Sequence, residues 1–349
     1  MYLNEKTDMM KHFDTDYMEG AHPVVMRRLL ETNLEQTPGY GADAYCRQAK
    51  ALVREACGDE SLDVHFLVGG TQTNATVIDA LLSHHEGVLA ATTAHINVHE
   101  SGAVEASGHK VLTLPSHEGK VDVGEVKAFI DDFYADDTYE HMVAPGMLYI
   151  SYPTEYGTLY TKKELTELHA ICQDANIPLY IDGARMGYGL ASDVADLTLT
   201  DLVGLCDVCY IGGTKVGALF GECVVAHAGW LKHFFPLIKQ HGALLAKGRL
   251  LGIQFATLFT DGLYLRIARH AVELAIKLKE GFRKKGYLPY INSFTNQQFF
   301  TLPNDVIDRL RQTSTFETWG NPGKTETTVR FVTSWATREE DVDELLREL

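Results

Sequence analysis

Two residues carry a reactive group where a ligand could use it. Lys215 stands in a glycine-rich turn, YIGGTKVGALFGE, directly after the apolar run DVCYI. A lysine is seldom buried without a reason, and the small residues around it leave room for a bulky molecule. Asp182, in IDGAR, ends another apolar run, PLYI; there a carboxylate either caps a turn or faces a ligand. Two weaker signals accompany them. VGGTQTN at 68–74 closes a strand-like run with Gly69-Gly70 and opens a helix, whose free N–H groups attract a phosphate. His95, in TTAHINVHE, either stacks on a planar ring or satisfies a cap.

Taken together, the four features meet one chemical need. Chemistry based on pyridoxal phosphate requires a lysine for a Schiff base and a carboxylate for the pyridinium nitrogen. It also requires a phosphate cradle and something flat against the ring.

The elements that must position these residues follow from periodicity. Short apolar runs at 62–68, 88–92, 110–114, 147–151, 178–182 and 207–211 read as strands. Helical patterns lie near 71–84, 97–107, 122–134 and 161–175, after a helix opened by Pro23 and another over 43–57. Near-continuous apolar strands separated by helices predict an α/β fold, a mostly parallel sheet covered by helices. In such sheets ligands bind beyond the carboxyl ends of the strands, where all four features fall. After Gly221 a strand, ECVVAH, leads into helix-rich sequence to about 285, then two strand candidates and a terminal helix. We expect a large domain over 1–250, including the N-terminal segment, and a smaller α+β domain over 251–349.

Composition narrows the function. The chain has 349 residues and a net charge of −16, a poor footprint for phosphate backbones, so nucleic acid is not an expected partner. No run reaches the length of a membrane helix, and the first residues show no secretory leader, so a cytoplasmic protein is expected. Six cysteines are too few for a disulfide framework. Cys206 and Cys209 have C-x-x-C spacing without a second pair, and HINVH lacks the glutamate of a zinc-binding HExxH helix, so no metal is expected. WLKHFFPLIKQHG reads as a helix at a subunit interface.

The ordered set GGTQTN, His95 with Glu100, IDGAR, GGTK and VRFVTSW resembles the threonine aldolase/β-eliminating lyase family of pyridoxal phosphate enzymes, in the aspartate aminotransferase-like fold (fold type I). The resemblance spans nearly the whole chain. It implies that Lys215 forms the Schiff base and Asp182 keeps the pyridine nitrogen protonated. It further implies that Gly70, Thr71 and Gln72 hold the phosphate, that Thr214 binds the cofactor and that His95 stacks on the ring. Arg185, Arg330 and Thr15 would bind the substrate α-carboxylate; guanidiniums suit it because their donors are planar and bidentate. Arg249 matches an arginine that in relatives reaches the cofactor of a neighbouring subunit, implying a homodimer or homotetramer with active sites at the interface. The implied reaction cleaves a β-hydroxy-α-amino acid to glycine and an aldehyde, and needs a base at the β-hydroxyl. Better-known members carry a second histidine in a THN-type segment, where this chain reads SYPTEYGT, so His99 or Glu155 would serve instead. Elimination of a leaving group at Cβ is the alternative reaction, and a non-catalytic protein on the same fold is the minor one.

Overall fold

A computed structural model describes residues 10–349. A two-residue strand, β1 (Lys11–His12), precedes the strands of the main sheet. These are β2 (Asp63–Leu67), β3 (Glu86–Ala91), β4 (Lys110–Leu114), β5 (Ala144–Ser151), β6 (Leu179–Gly183), β7 (Val208–Gly212) and β8 (Glu222–Ala226). The C-terminal region adds β9 (Pro289–Ile291), β10 (Gln297–Pro303), β11 (Ser314–Thr315), β12 (Glu317–Thr318) and β13 (Glu326–Val332).

The main sheet has the order β2-β8-β7-β6-β5-β3-β4. Every residue of β6, β7 and β8 is buried, as expected of strands covered on both faces. The pairings among β3, β4, β5, β6 and β7 are parallel, whereas β8 runs antiparallel to both neighbours. The cause is connection length: residues 213–221 are too few for the crossover that a parallel return needs. One edge of the sheet therefore gathers the carboxyl ends of the parallel strands and the first residue of β8. The fold is mostly parallel α/β, with a four-stranded antiparallel sheet, β12-β13-β10-β9, near the C-terminus.

The helices expected at 122–134 and 161–175 are observed at Val123–Ala135 and Lys162–Asp174; the second opens on a capping box between Thr161 and Glu164. The helix expected over 97–107 is instead two single turns, His95–Val98 and Ala103–Ala106. Ser101 and Gly102, both at positive φ, interrupt it. The break turns the buried Glu100 back toward His95.

Two apolar clusters share the helix Leu263–Lys284. Ala268, Ala271 and Val272 belong to the core around the main sheet, while Leu274, Leu278 and Phe282 join Phe300, Val329 and Phe331 of the C-terminal sheet. Phe13 packs with the second cluster, and β1 pairs with β11. On this packing we propose that the smaller unit begins inside Leu263–Lys284, not near residue 250, and takes Phe13 with it. No helix among the described residues is long and apolar enough to cross a membrane.

Candidate active site

A cavity of about 320 Å³ opens at the gathered strand ends. Asp182 lies in its wall because β6 ends there, level with Ser151 of β5 and Tyr210 of β7. The glycine that follows is required: a side chain at Gly183 would collide with the Tyr210 carbonyl. Asp182 accepts hydrogen bonds from Tyr149 OH at 2.6 Å, Asn74 Nδ2 at 2.9 Å and the Ala184 N–H at 2.9 Å. Burial pushes its pKa up, but the charge of His95 and the hydrogen bonds from Tyr149, Tyr210 and Asn74 outweigh burial, so the carboxyl lies below the usual aspartate range. Asp182 is built to stay ionised next to a cationic group.

Lys215 reaches the same cavity from the turn after β7. Tyr188 OH donates to its carbonyl at 2.5 Å, which fixes the backbone, and its Nζ lies 5.9 Å from the Tyr17 ring centroid. Loss of solvent and the neighbouring Arg185 lower its pKa more than Asp16, Asp182 and Glu222 raise it. The amine is thus shifted toward its neutral, nucleophilic form.

Across the cavity the helix Gly70–Leu81 begins with no side-chain cap on its first turn. The N–H groups of Gly70, Thr71 and Gln72 precede any intrahelical acceptor, and Gly70 and Thr71 line the cavity. Gln72 sends its amide to the His241 carbonyl at 2.9 Å, so its side chain is committed elsewhere. Thr214 lines the cavity opposite, its hydroxyl receiving the Gly221 N–H at 3.0 Å. An uncapped helix start facing a lysine and a carboxylate fits an anionic group on a cationic ring.

His95 also lines the cavity, and its Nδ1 bonds Glu100 Oε1 at 2.8 Å. Glu100 in turn accepts from Asn74 Nδ2 at 2.7 Å, so one buried chain of hydrogen bonds links His95, Glu100, Asn74 and Asp182. Glu155 Oε1 accepts from Ser151 Oγ at 2.7 Å and from the His95 N–H at 2.9 Å. Burial raises its pKa beyond what these hydrogen bonds take back. His99 is exposed, with its ring 5.6 Å from that of His95, and does not line the cavity.

The three arginines differ. Arg185 lines the cavity and is clamped by Asp16, Nε to Oδ2 at 2.7 Å and Nη2 to Oδ1 at 2.9 Å. Arg330, on β13, donates to Gln297 Oε1 at 2.9 Å and to Glu317, while its Nε is buried without a partner. Thr15 Oγ1 is likewise buried and unpartnered. Arg249 is turned away from this cavity: its guanidinium donates to the carbonyls of Thr32 and Asn33 at 2.7 and 3.0 Å.

Sequence reasoning missed several members. Asp16 stands one residue from Thr15, and Asn74 lies within the GGTQTN motif, so both were close to view. Tyr149 gave no signal, because a tyrosine in a buried strand reads as core. Glu222 and Glu317 had no motif to mark them.

Residues 12–302 match the family model described as beta-eliminating lyase, and the chain belongs to that family. Over 349 residues it is 29% identical to the low specificity L-threonine aldolase of Pseudomonas aeruginosa, with 98% of each chain covered. The structure of a threonine aldolase from Leishmania major matches with a TM-score of 0.93 at 39% identity, over 97% of this chain and 98% of that one. An aspartate aminotransferase from Thermus thermophilus, at 14% identity, shares the fold alone: TM-score 0.70 over 97% of this chain and 90% of its own. The protein is a lyase, threonine aldolase-like in sequence and structure, on the fold type I scaffold.

Proposed function

We propose that this lyase uses pyridoxal 5′-phosphate to cleave the Cα–Cβ bond of β-hydroxy-α-amino acids, giving glycine and an aldehyde. The reading rests on one observation: Lys215 and Asp182 line a single cavity of about 320 Å³. Bound there, the cofactor would supply a carbonyl that condenses with amines and a ring that accepts the electrons left at Cα.

The residues divide the remaining work. Lys215 would hold the cofactor and later move protons at Cα. Asp182 would keep a proton on the ring nitrogen, helped by its depressed pKa. The first-turn N–H groups of Gly70, Thr71 and Gln72, with Thr214, would bind the phosphate. His95 would lie against the ring, oriented by Glu100. Arg185, Arg330 and Thr15 would bind the α-carboxylate; the unpartnered Nε of Arg330 and Oγ1 of Thr15 are in keeping with that role. Of the two candidate bases, Glu155 is favoured, because it lines the cavity and both its protein donors go to Oε1, leaving Oε2 for the β-hydroxyl proton. Burial raises its pKa and so makes it a stronger base than an exposed glutamate.

We further propose a homo-oligomer. Leu30, Leu34 and Phe235 are exposed at 77%, 93% and 54%, and Arg249 would reach from this face to a neighbour's cofactor. Sedimentation at micromolar concentration should give a dimer or tetramer; a monomer that turns over would remove this arrangement.

The decisive experiment adds pyridoxal phosphate to the purified protein and follows its absorbance. A bound-cofactor band that Lys215→Ala abolishes, while the variant stays folded, is expected. Incubation with threonine or phenylserine should then yield glycine and aldehyde. Ammonia with a keto acid would instead establish β-elimination.

A further inference from the structure

Asn74 is a wholly buried amide to which the steps above give no task. It stands four residues after Gly70 on the helix Gly70–Leu81, so the two share a face. One rigid element thus sets both the turn that would hold the phosphate and the Asn74 side chain. Its Nδ2 donates to Asp182 Oδ2 at 2.9 Å and to Glu100 Oε1 at 2.7 Å. Its Oδ1 accepts from Tyr180 OH at 2.9 Å. Chemistry fixes this orientation of the amide, because ionised carboxylates can only accept and the phenol has a proton to give.

Two buried carboxyl groups therefore lie within 2.9 Å of one nitrogen. So close together, two anions repel unless donors stand between them. Asn74 supplies one N–H to each. Glu100 depends on it heavily: its other donor is His95 Nδ1 at 2.8 Å, and its Oε2 is buried without a partner. Asp182 keeps Tyr149 and the Ala184 N–H besides. The charged groups that act on Asp182 are His95, Lys215, Glu155 and Glu222, and the phenols nearby are Tyr149, Tyr180 and Tyr210. None of these bonds both carboxyls, as Asn74 does.

We infer that Asn74 is a positioning residue whose amide nitrogen separates the Asp182 and Glu100 carboxylates, so that both stay ionised, one for the ring nitrogen of the cofactor and the other for His95. The roles of Asp182 and His95 rest on the proposed function; the bridge between the two acids does not. Other side chains of similar size cannot make it. An aspartate would set further acceptors against the two carboxylates, a leucine would leave them bare, and a threonine has one proton for two acceptors.

The test compares full-length wild type with Asn74→Leu, each freed of any cofactor by dialysis against hydroxylamine, with circular dichroism to check folding. Infrared absorption at pH 6 should show one more neutral carboxylic acid in the variant than in wild type. Adding Glu100→Gln to Asn74→Leu should remove it, because the repelling partner has gone. Pyridoxal phosphate, titrated by its absorbance, should bind Asn74→Leu about tenfold more weakly than wild type at pH 6, corresponding to about one pKa unit. The gap should narrow to less than about threefold at pH 9, where the extra proton has left. An unchanged count of neutral carboxyls would overturn the inference. So would a loss of affinity equal at pH 6 and pH 9, which is what a merely structural amide would give. If Asn74→Leu does not fold, Asn74→Thr gives the same readouts, since it still leaves one carboxylate without a donor. Failure of wild type to bind pyridoxal phosphate would sink the proposed function, while the infrared comparison would still decide the bridge.

Discussion

The edge of the main sheet and the C-terminal sheet each contribute a buried arginine, and the two are held in different ways. Arg185 follows β6, and its partner Asp16 is wholly buried and doubly bonded to it, with Asn296 adding a third hydrogen bond at 2.9 Å. Arg330 sits on β13, and its partner Glu317 belongs to a two-residue strand and keeps 39% of its side chain in solvent. Trp319 covers the Arg330 guanidinium at 5.3 Å. One pair is a fixed part of the frame. The other pairs a buried cation with a partly exposed anion, a contact that an incoming carboxylate would replace under the proposed function. The two guanidiniums are about equally exposed, at 12% and 11%, so the difference lies in their counter-ions.

The contrast is most exposed to refutation through Asp16. Asp16→Ala leaves a buried, unpaired guanidinium and should cost about 3–5 kcal/mol in denaturant unfolding. A loss below about 1 kcal/mol would show the clamp to be no firmer than a surface pair. Next in size, Asp182→Asn should lower turnover about 10–100-fold, the loss of a charge-assisted hydrogen bond of about 1.5–3 kcal/mol, with the cofactor still bound. Unchanged turnover would take Asp182 out of its assigned role.

The main-sheet edge should also show two opposite pH dependences. Asp16 and Asp182 have folded pKa values below the ordinary aspartate value of 3.8, so around and below that pH the unfolded chain binds more protons. Their stabilisation is complete above about pH 4 and is lost as pH falls through the folded values. Glu222 has the reverse sign, because its pKa rises from 4.5 to about 8. Between those values the folded chain keeps a proton that the unfolded chain has lost, so stability declines as pH rises. Chemical denaturation at several pH values should give a shallower decline between pH 5 and 8 for Glu222→Gln than for wild type. Smallest of all, Glu317→Gln should change stability by less than about 1 kcal/mol, as expected of a half-exposed pair. It should lower KM for the amino acid about two- to fivefold by freeing Arg330. An increased KM would mean that Glu317 positions Arg330 rather than competing for it.

Much of the frame was legible because buried parallel strands have little choice of composition. The expected runs at 147–151, 178–182 and 207–211 lie within or one residue beyond β5, β6 and β7. Lys215 and Asp182 stood out for the same reason: each is a polar interruption at the end of such a run. The short strands β9, β11 and β12 and the helix Asn304–Leu310 escaped notice, since two to seven residues hold too little periodicity to read. The segment 97–107 misled because its composition is helical, while Ser101 and Gly102 break it for the sake of Glu100.

By itself the sequence determined the layered α/β scaffold and the two groups that a pyridoxal phosphate site needs, because both are written in local pattern: apolar runs and what ends them. Tertiary structure alone decided which partner each group has. Asp16 meets Arg185 across 169 residues and Asn74 meets Asp182 across 108. Glu222 reaches the strand tips only because its strand returns antiparallel. The charge state of a buried group depends on what surrounds it in space, and that neighbourhood is assembled from segments whose separation along the chain bears no relation to their distance.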